Sequence, residues 1–96
     1  MDIIVGNYEN RRVNEKANVW TIDTTLEPAG LGGVDHYMCR SVKMIVSRYV
    51  RRLKRDSNYG YPGAKYNIVI KLTKDPLKRG LFSDPDEVIT VPVQCQ

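Results

Sequence analysis

Residues 35–55 read DHYMCRSVKMIVSRYVRRLKR, and the fold turns on this stretch. Met38, Val42, Ile45, Val46, Tyr49 and Leu53 recur at three- and four-residue steps. At about 100° per residue they share one stripe about 100° wide, the apolar face of an amphipathic helix. Asp35 stands where an N-cap belongs, and Asp56-Ser57-Asn58-Tyr59-Gly60 supplies a stop. The spacing predicts a helix over residues 35–55. One apolar stripe must be buried against another element, and the flanking sequence offers strands.

On the C-terminal side, the loop at residues 59–64 holds Gly60, Pro62 and Gly63. Residues 65–72 then alternate: Tyr66, Ile68, Ile70 and Leu72 face one way, Lys65, Asn67, Val69 and Lys71 the other. That is a half-buried strand. Pro76, Gly80 and Pro85 mark residues 74–86 as turn-rich, and residues 88–93 form a last strand with Ile89, Val91 and Val93 on one face. Pro92 has no N–H to donate, which points to an edge or a strand end.

On the N-terminal side, residues 2–8 contain the β-branched run Ile3-Ile4-Val5. Residues 18–24 alternate, with Val19, Thr21 and Asp23 opposite Trp20, Ile22 and Thr24. Both read as strands, joined in a hairpin through residues 9–15. Pro28 and the glycines at 30, 32 and 33 separate them from the helix.

The expected fold is a small single α+β domain over residues 1–96. Its order is β-β-α-β-β, an antiparallel sheet with one amphipathic helix on one face. One helix covers a four-stranded sheet poorly, so self-association as a homodimer would complete the burial.

Length and composition agree. Ninety-six residues give one domain, and 42% hydrophobic with 27% charged residues is globular usage rather than disordered or collagen-like. No apolar run approaches the roughly 18 residues of a spanning helix, so no membrane association is expected. Residues 1–6 lack the basic and apolar regions of a secretory signal. Cys39 and Cys95 are too few for a disulfide scaffold and too far apart for a paired zinc site. Cys39 reads as a semi-buried small hydrophobe and Cys95 as a thiol near a loose terminus. The expected setting is cytoplasmic, intracellular and reducing, not secreted.

Charge is more informative in its placement than in its total. The chain carries +4, yet Arg40, Lys43, Arg48, Arg51, Arg52, Lys54 and Arg55 occur with no acid among them. The eighty residues outside the span 40–55 therefore sum to −3. On helical angles Arg40, Arg51 and Lys54 lie nearly opposite the apolar stripe. Arg48 and Lys43 lie to either side, while Arg52 and Arg55 flank its edge. Cations near a helix C-terminus gain from the macrodipole. Like charges at i,i+4, such as Arg48–Arg52 and Arg51–Arg55, repel by about 0.2–0.5 kcal/mol a pair. A solvated polar face normally interleaves signs, so the ridge suggests an anionic counterpart. Arginine is suited to phosphate or carboxylate.

Tyr59 and Tyr61 follow the ridge and could stack on unpaired bases, although turn chemistry beside Gly60, Pro62 and Gly63 accounts for them more simply. Lys65, Lys71, Arg11 and Lys16 could extend the surface. Tyr37 and Met44, seven residues apart on the helix, would share a face with Arg48 and Arg51, a protein-interface composition. Burial of that end by the Gly-rich loop explains the pair equally well.

Catalytic constellations do not assemble. His36 is the only histidine, and Cys39 three residues on is more naturally packed than reactive. Asp84, Asp86 and Glu87 could offer oxygen ligands to a cation, but Ser83-Asp84-Pro85-Asp86 reads better as a turn. Gly30, Gly32 and Gly33 lack the Lys-Ser/Thr of a phosphate loop. No enzyme, metal or cofactor is expected. The leading expectation is a non-enzymatic nucleic-acid-binding protein, for DNA or RNA, whose helix contacts the phosphate backbone. The alternative is a protein-binding or assembly subunit, such as a small viral or phage-type structural protein or inhibitor. It would dock on an acidic protein surface through Tyr37, Met44, Arg48 and Arg51.

Overall fold

The computed structural model describes residues 2–9, 21–29, 35–37, 42–73 and 84–96. Among these residues, five strands and one helix follow in the order β1 (Ile3–Val5), β2 (Thr21–Pro28), β3 (Asp35–Tyr37), α1 (Val42–Arg55), β4 (Lys65–Thr73) and β5 (Glu87–Cys95). The four expected strands and the helix keep their β-β-α-β-β order, and β3 is added within it. Every pairing is antiparallel, and the sheet runs β1-β5-β4-β2-β3.

The described helix starts at Val42, and the first three residues of the span its periodicity suggests are not helical. Residues 35–37 instead pair with β2, in the register Thr24↔Tyr37, Thr25↔His36 and Leu26↔Asp35. Asp35 is thus a strand residue and not an N-cap. The free side of β2 offers a row of unpaired backbone groups, and a strand satisfies them where a first helical turn would not. Met38, Cys39 and Arg40 lie outside the described residues.

The N-terminal hairpin is also replaced. β1 pairs with β5, Ile3↔Cys95 through Val5↔Val93, and is separated from β2 by two intervening strands. β2 runs through Glu27 and Pro28, residues expected in the following turn, and pairs with β4 from Thr21↔Thr73 to Pro28↔Tyr66. Residues 10–20 lie outside the described residues, including Arg11, Lys16 and Trp20. So do residues 74–83.

Pro92 sits inside β5 between two neighbours without breaking the ladder. Its carbonyl accepts from the Gly6 N–H at 2.8 Å, so its ring nitrogen faces the β1 side, where β1 has already ended. No bond to β4 is lost, because an antiparallel residue directs both backbone groups to the same neighbour.

One sheet face is apolar. Ile22 and Leu26, then Tyr66, Ile68, Ile70 and Leu72, then Ile89, Val91, Val93 and Cys95 are all buried. Val42, Ile45, Val46, Tyr49 and Leu53 of α1 close over them. Each fully buried Leu, Ile or Val contributes about 1.5–3 kcal/mol. The Tyr49 hydroxyl donates to the Thr24 carbonyl at 3.2 Å, tying the helix to β2. Cys95 is part of this core and not of a loose end. Its N–H donates to Ala64 O at 2.9 Å, and its carbonyl accepts from Gly63 N at 2.8 Å. The opposite face exposes Ile4, Lys65, Lys71, Val88, Thr90 and Gln94, and the helix does not cover it.

Two glycines fix the link from α1 to β4. A Cβ on Gly60 would lie 1.7 Å from the carbonyl oxygen of Leu53, because the chain folds back against the last helical turn. Gly63 has φ +89°, and Ala64 N donates to Tyr61 O at 3.0 Å. With Pro62 and Gly63 as its central pair, Tyr61-Pro62-Gly63-Ala64 is a type II turn. A Cβ on Gly63 would meet nothing within 4 Å. Gly60→Ala should therefore cost well over 2 kcal/mol of unfolding free energy, through a clash with backbone that cannot yield. Gly63→Ala should cost only about 1–2 kcal/mol, for its left-handed conformation. Urea denaturation of the two variants checks the order.

Candidate nucleic-acid interface

Burial of the stripe on α1 dictates where its charges go. Val42, Ile45, Val46, Tyr49 and Leu53 face the sheet, so the remaining positions face water. Met44, Arg48, Arg51 and Arg55 stand at i, i+4, i+7 and i+11, a row about 60° wide turned away from the core. Lys43, Ser47 and Lys54 form a second row about 90° around the helix. All seven are exposed. Arg55 therefore belongs with Arg48 and Arg51 on the outer face rather than at the stripe edge; Arg52 is the one that flanks the stripe. From Arg48 to Arg55 the row spans about 10 Å.

The ridge is single-signed. α1 contains no Asp or Glu, its first turn has no acid, and its last turn holds Arg52, Lys54 and Arg55. Among the described residues, no carboxylate pairs with Lys43, Arg48, Arg51, Lys54 or Arg55, whereas Arg52 has an interaction within the molecule. The helical face expected to join Tyr37 to Met44 does not form. Tyr37 lies in β3 and not on the helix, so it shares no helical face with Met44, Arg48 and Arg51. Met44 remains, 45% exposed in the midst of the arginines.

Beyond the last turn, the loop is organised by its own backbone. Tyr59 N and Gly60 N both donate to Asp56 O, at 3.2 and 2.7 Å. Asn58 N donates to the Asp56 side chain at 3.0 Å, an Asx-turn. The Tyr66 hydroxyl reaches from β4 to donate to the Tyr59 carbonyl. Sequence reading placed Tyr66 on the core face but missed this tether; the signal was a tyrosine, whose buried hydroxyl needs a partner, beside a short loop. The loop is thus pinned from both flanks, while Tyr59 and Tyr61 stay 39% and 52% exposed.

Lys65 and Lys71 are exposed on the sheet face away from the helix, so they do not extend the ridge. Among the described residues, no three His, Cys, Asp or Glu gather as a metal site, so Asp84, Asp86 and Glu87 form none. Their stretch leads into β5, where Asp86 N donates to Leu72 O at 2.9 Å. No helix among the described residues is long and apolar enough to cross a membrane. Comparison with protein-family models, curated proteins and solved structures finds no match to this chain.

The loop and the core share a pH dependence. Burial raises the Tyr66 phenol above its ordinary 10.0, with smaller contributions from Tyr61, Cys95, Tyr59 and Asp56. Burial likewise raises the Cys95 thiol above its ordinary 9.0. Both groups are neutral when protonated, so the unfolded chain ionises first. The stability that they hold is full below about pH 9 and is lost as pH rises through their folded values. Urea midpoints should fall above pH 9, and Tyr66→Phe should flatten the part of that fall lying above pH 10.

Proposed function

We propose that this chain is a non-enzymatic nucleic-acid-binding protein that tracks the phosphate backbone with the outer face of α1. Arg48, Arg51 and Arg55 provide one row of contacts and Lys43 and Lys54 the other, with Arg52 reaching from the flank. Arg40, outside the described residues, precedes the same helix in sequence. The observation that carries the reading is a helix face bearing five exposed cations without carboxylate partners among the described residues. Phosphates supply a row of negative charge, and the guanidinium fork fits their oxygens.

Affinity from such a surface comes mainly from released counterions. With about four phosphates engaged, a log–log plot of binding against salt should have a slope of roughly −4. That is a loss of roughly 250-fold between about 50 and 200 mM. Arg51→Ala/Lys54→Ala should weaken binding of mixed-sequence DNA or RNA and reduce the slope by about 2. Fluorescence polarisation across a salt series reads both quantities. Binding that ignores salt and substitution alike would refute the proposal.

Exposed Met44 favours a second reading, an assembly or protein-binding subunit that docks an acidic protein surface on the same row. Under that reading Met44→Ala costs more affinity for the partner than any single arginine does, because a buried apolar anchor dominates such interfaces.

A homodimer is part of the proposal. Ile4 and Val88 are about half exposed on the side of the sheet that α1 leaves open, and a second copy would cover them. Light scattering at micromolar concentration should give twice the 11.0 kDa chain mass.

A further inference from the structure

Three features of the molecule ask for a use: the uncovered face of the sheet, the short β1 edge with its exposed Ile4 and Val5, and the tyrosine loop after α1. The loop carries an inference furthest. Tyr59 and Tyr61 follow Lys54 and Arg55 within a few residues, and both are exposed, Tyr59 by about two fifths and Tyr61 by about half. Exposure by itself says little, since single surface aromatics are common. What distinguishes these two is that the loop does not need their rings.

Its backbone is held by the bonds to Asp56 O, by the Asx-turn at Asn58, by the type II turn at 61–64 and by the Tyr66 hydroxyl on Tyr59 O. Gly60 seats it against the Leu53 carbonyl with no room for a side chain. The two rings therefore project from a backbone fixed at several points. Their phenols also lie close enough to Tyr66 to act on its ionisation. Two exposed tyrosines on a fixed backbone, directly after the last turn of a cationic helix, suit a stacking platform. The backbone is ordered before any ligand arrives, so less conformational entropy is lost on binding.

Bases offer their faces only when unpaired; in a duplex each is stacked on its neighbours. We infer that the ligand of this surface is single-stranded nucleic acid, with its phosphates along Arg48, Arg51 and Arg55 and unpaired bases stacked on Tyr59 and Tyr61. This rests on the phosphate-tracking reading of α1 and narrows it to one class of substrate. Stacking on aromatic rings is tolerant of sequence, so little discrimination among bases follows.

The test compares a 12-nucleotide mixed-sequence single strand with a 12-base-pair hairpin of the same sequence, by polarisation at one low salt concentration. Tyr59→Ala/Tyr61→Ala should lower single-strand affinity at least tenfold, change hairpin affinity less than twofold, and leave the salt slope intact. Tyr59→Phe/Tyr61→Phe keeps the rings and should bind the single strand as the wild type does. Upfield shifts of the Tyr59 and Tyr61 ring protons, on adding the single strand to the wild type, supply a readout independent of any variant's stability. The inference is overturned if the alanine pair loses both ligands equally or neither, or if the ring protons do not move. If Arg51→Ala/Lys54→Ala still abolishes binding in that case, the phosphate reading survives alone. A wild type that binds neither ligand at low salt overturns both.

Discussion

The apolar stripe of α1 must lie on the sheet, and nearly everything else about the molecule is arranged by that constraint. Val42, Ile45, Tyr49 and Leu53 are essentially inaccessible, and so are Ile68, Ile70 and Leu72 beneath them. Once this face is spent, the rotation of the helix about its axis is fixed. The cations then have one place to go. A quarter-turn of the helix would bury Arg48 or Lys43, at a desolvation cost that no carboxylate of α1 could offset. The core and the charged ridge are two consequences of one packing decision.

The same packing reaches the loop. Gly60 rests on the carbonyl of Leu53, a core residue, and Tyr66 belongs to the core face of β4 while its hydroxyl holds Tyr59. The position of the exposed tyrosines is therefore inherited from the interior rather than from contacts among surface groups. A change that loosens Leu53 or Tyr66 would disturb the candidate site without touching a residue that meets a ligand.

Local physics made some of this legible in the sequence. Alternation over residues 65–72 located β4 and its buried face, and the 42–53 spacing located the helix and its ridge. The stop at Asp56 and the turn at Pro62-Gly63 were equally plain. What escaped was non-local. Ile3 and Cys95 are almost a chain length apart, and nothing in a β-branched tripeptide says that its partner is the last strand rather than the next one. Residues 35–37 show tertiary pairing overriding a local pattern: Met38 falls in phase with the helical stripe, but the free side of β2 captured the segment before it. That error put Tyr37 on a helical face, whereas it is a strand residue. Pro92 misled less, because its unavailable N–H faces the side where β1 has ended. The angular placement of Arg55 needed only arithmetic; it lies three residues from Arg52 and seven from Arg48, and the second interval is the one that aligns.

Folding accounts for part of the ridge and not for the rest. Arg52, Lys54 and Arg55 in the last turn each gain about 0.3–1 kcal/mol from the helix dipole. That roughly offsets the repulsion of Arg48–Arg52 and Arg51–Arg55, about 0.2–0.5 kcal/mol a pair. Stability would therefore tolerate the C-terminal cations whatever their use. Lys43 is different. It is the second residue of a helix whose first turn has no acid, where the dipole disfavours positive charge. Arg48, mid-helix, gains little from either end. These two residues mark where the charge pattern departs from what the fold asks of it, and both point into solvent with the others. An anionic ligand lying along the whole length of α1 would account for all of them, whereas an optimum of helix stability accounts only for the last turn.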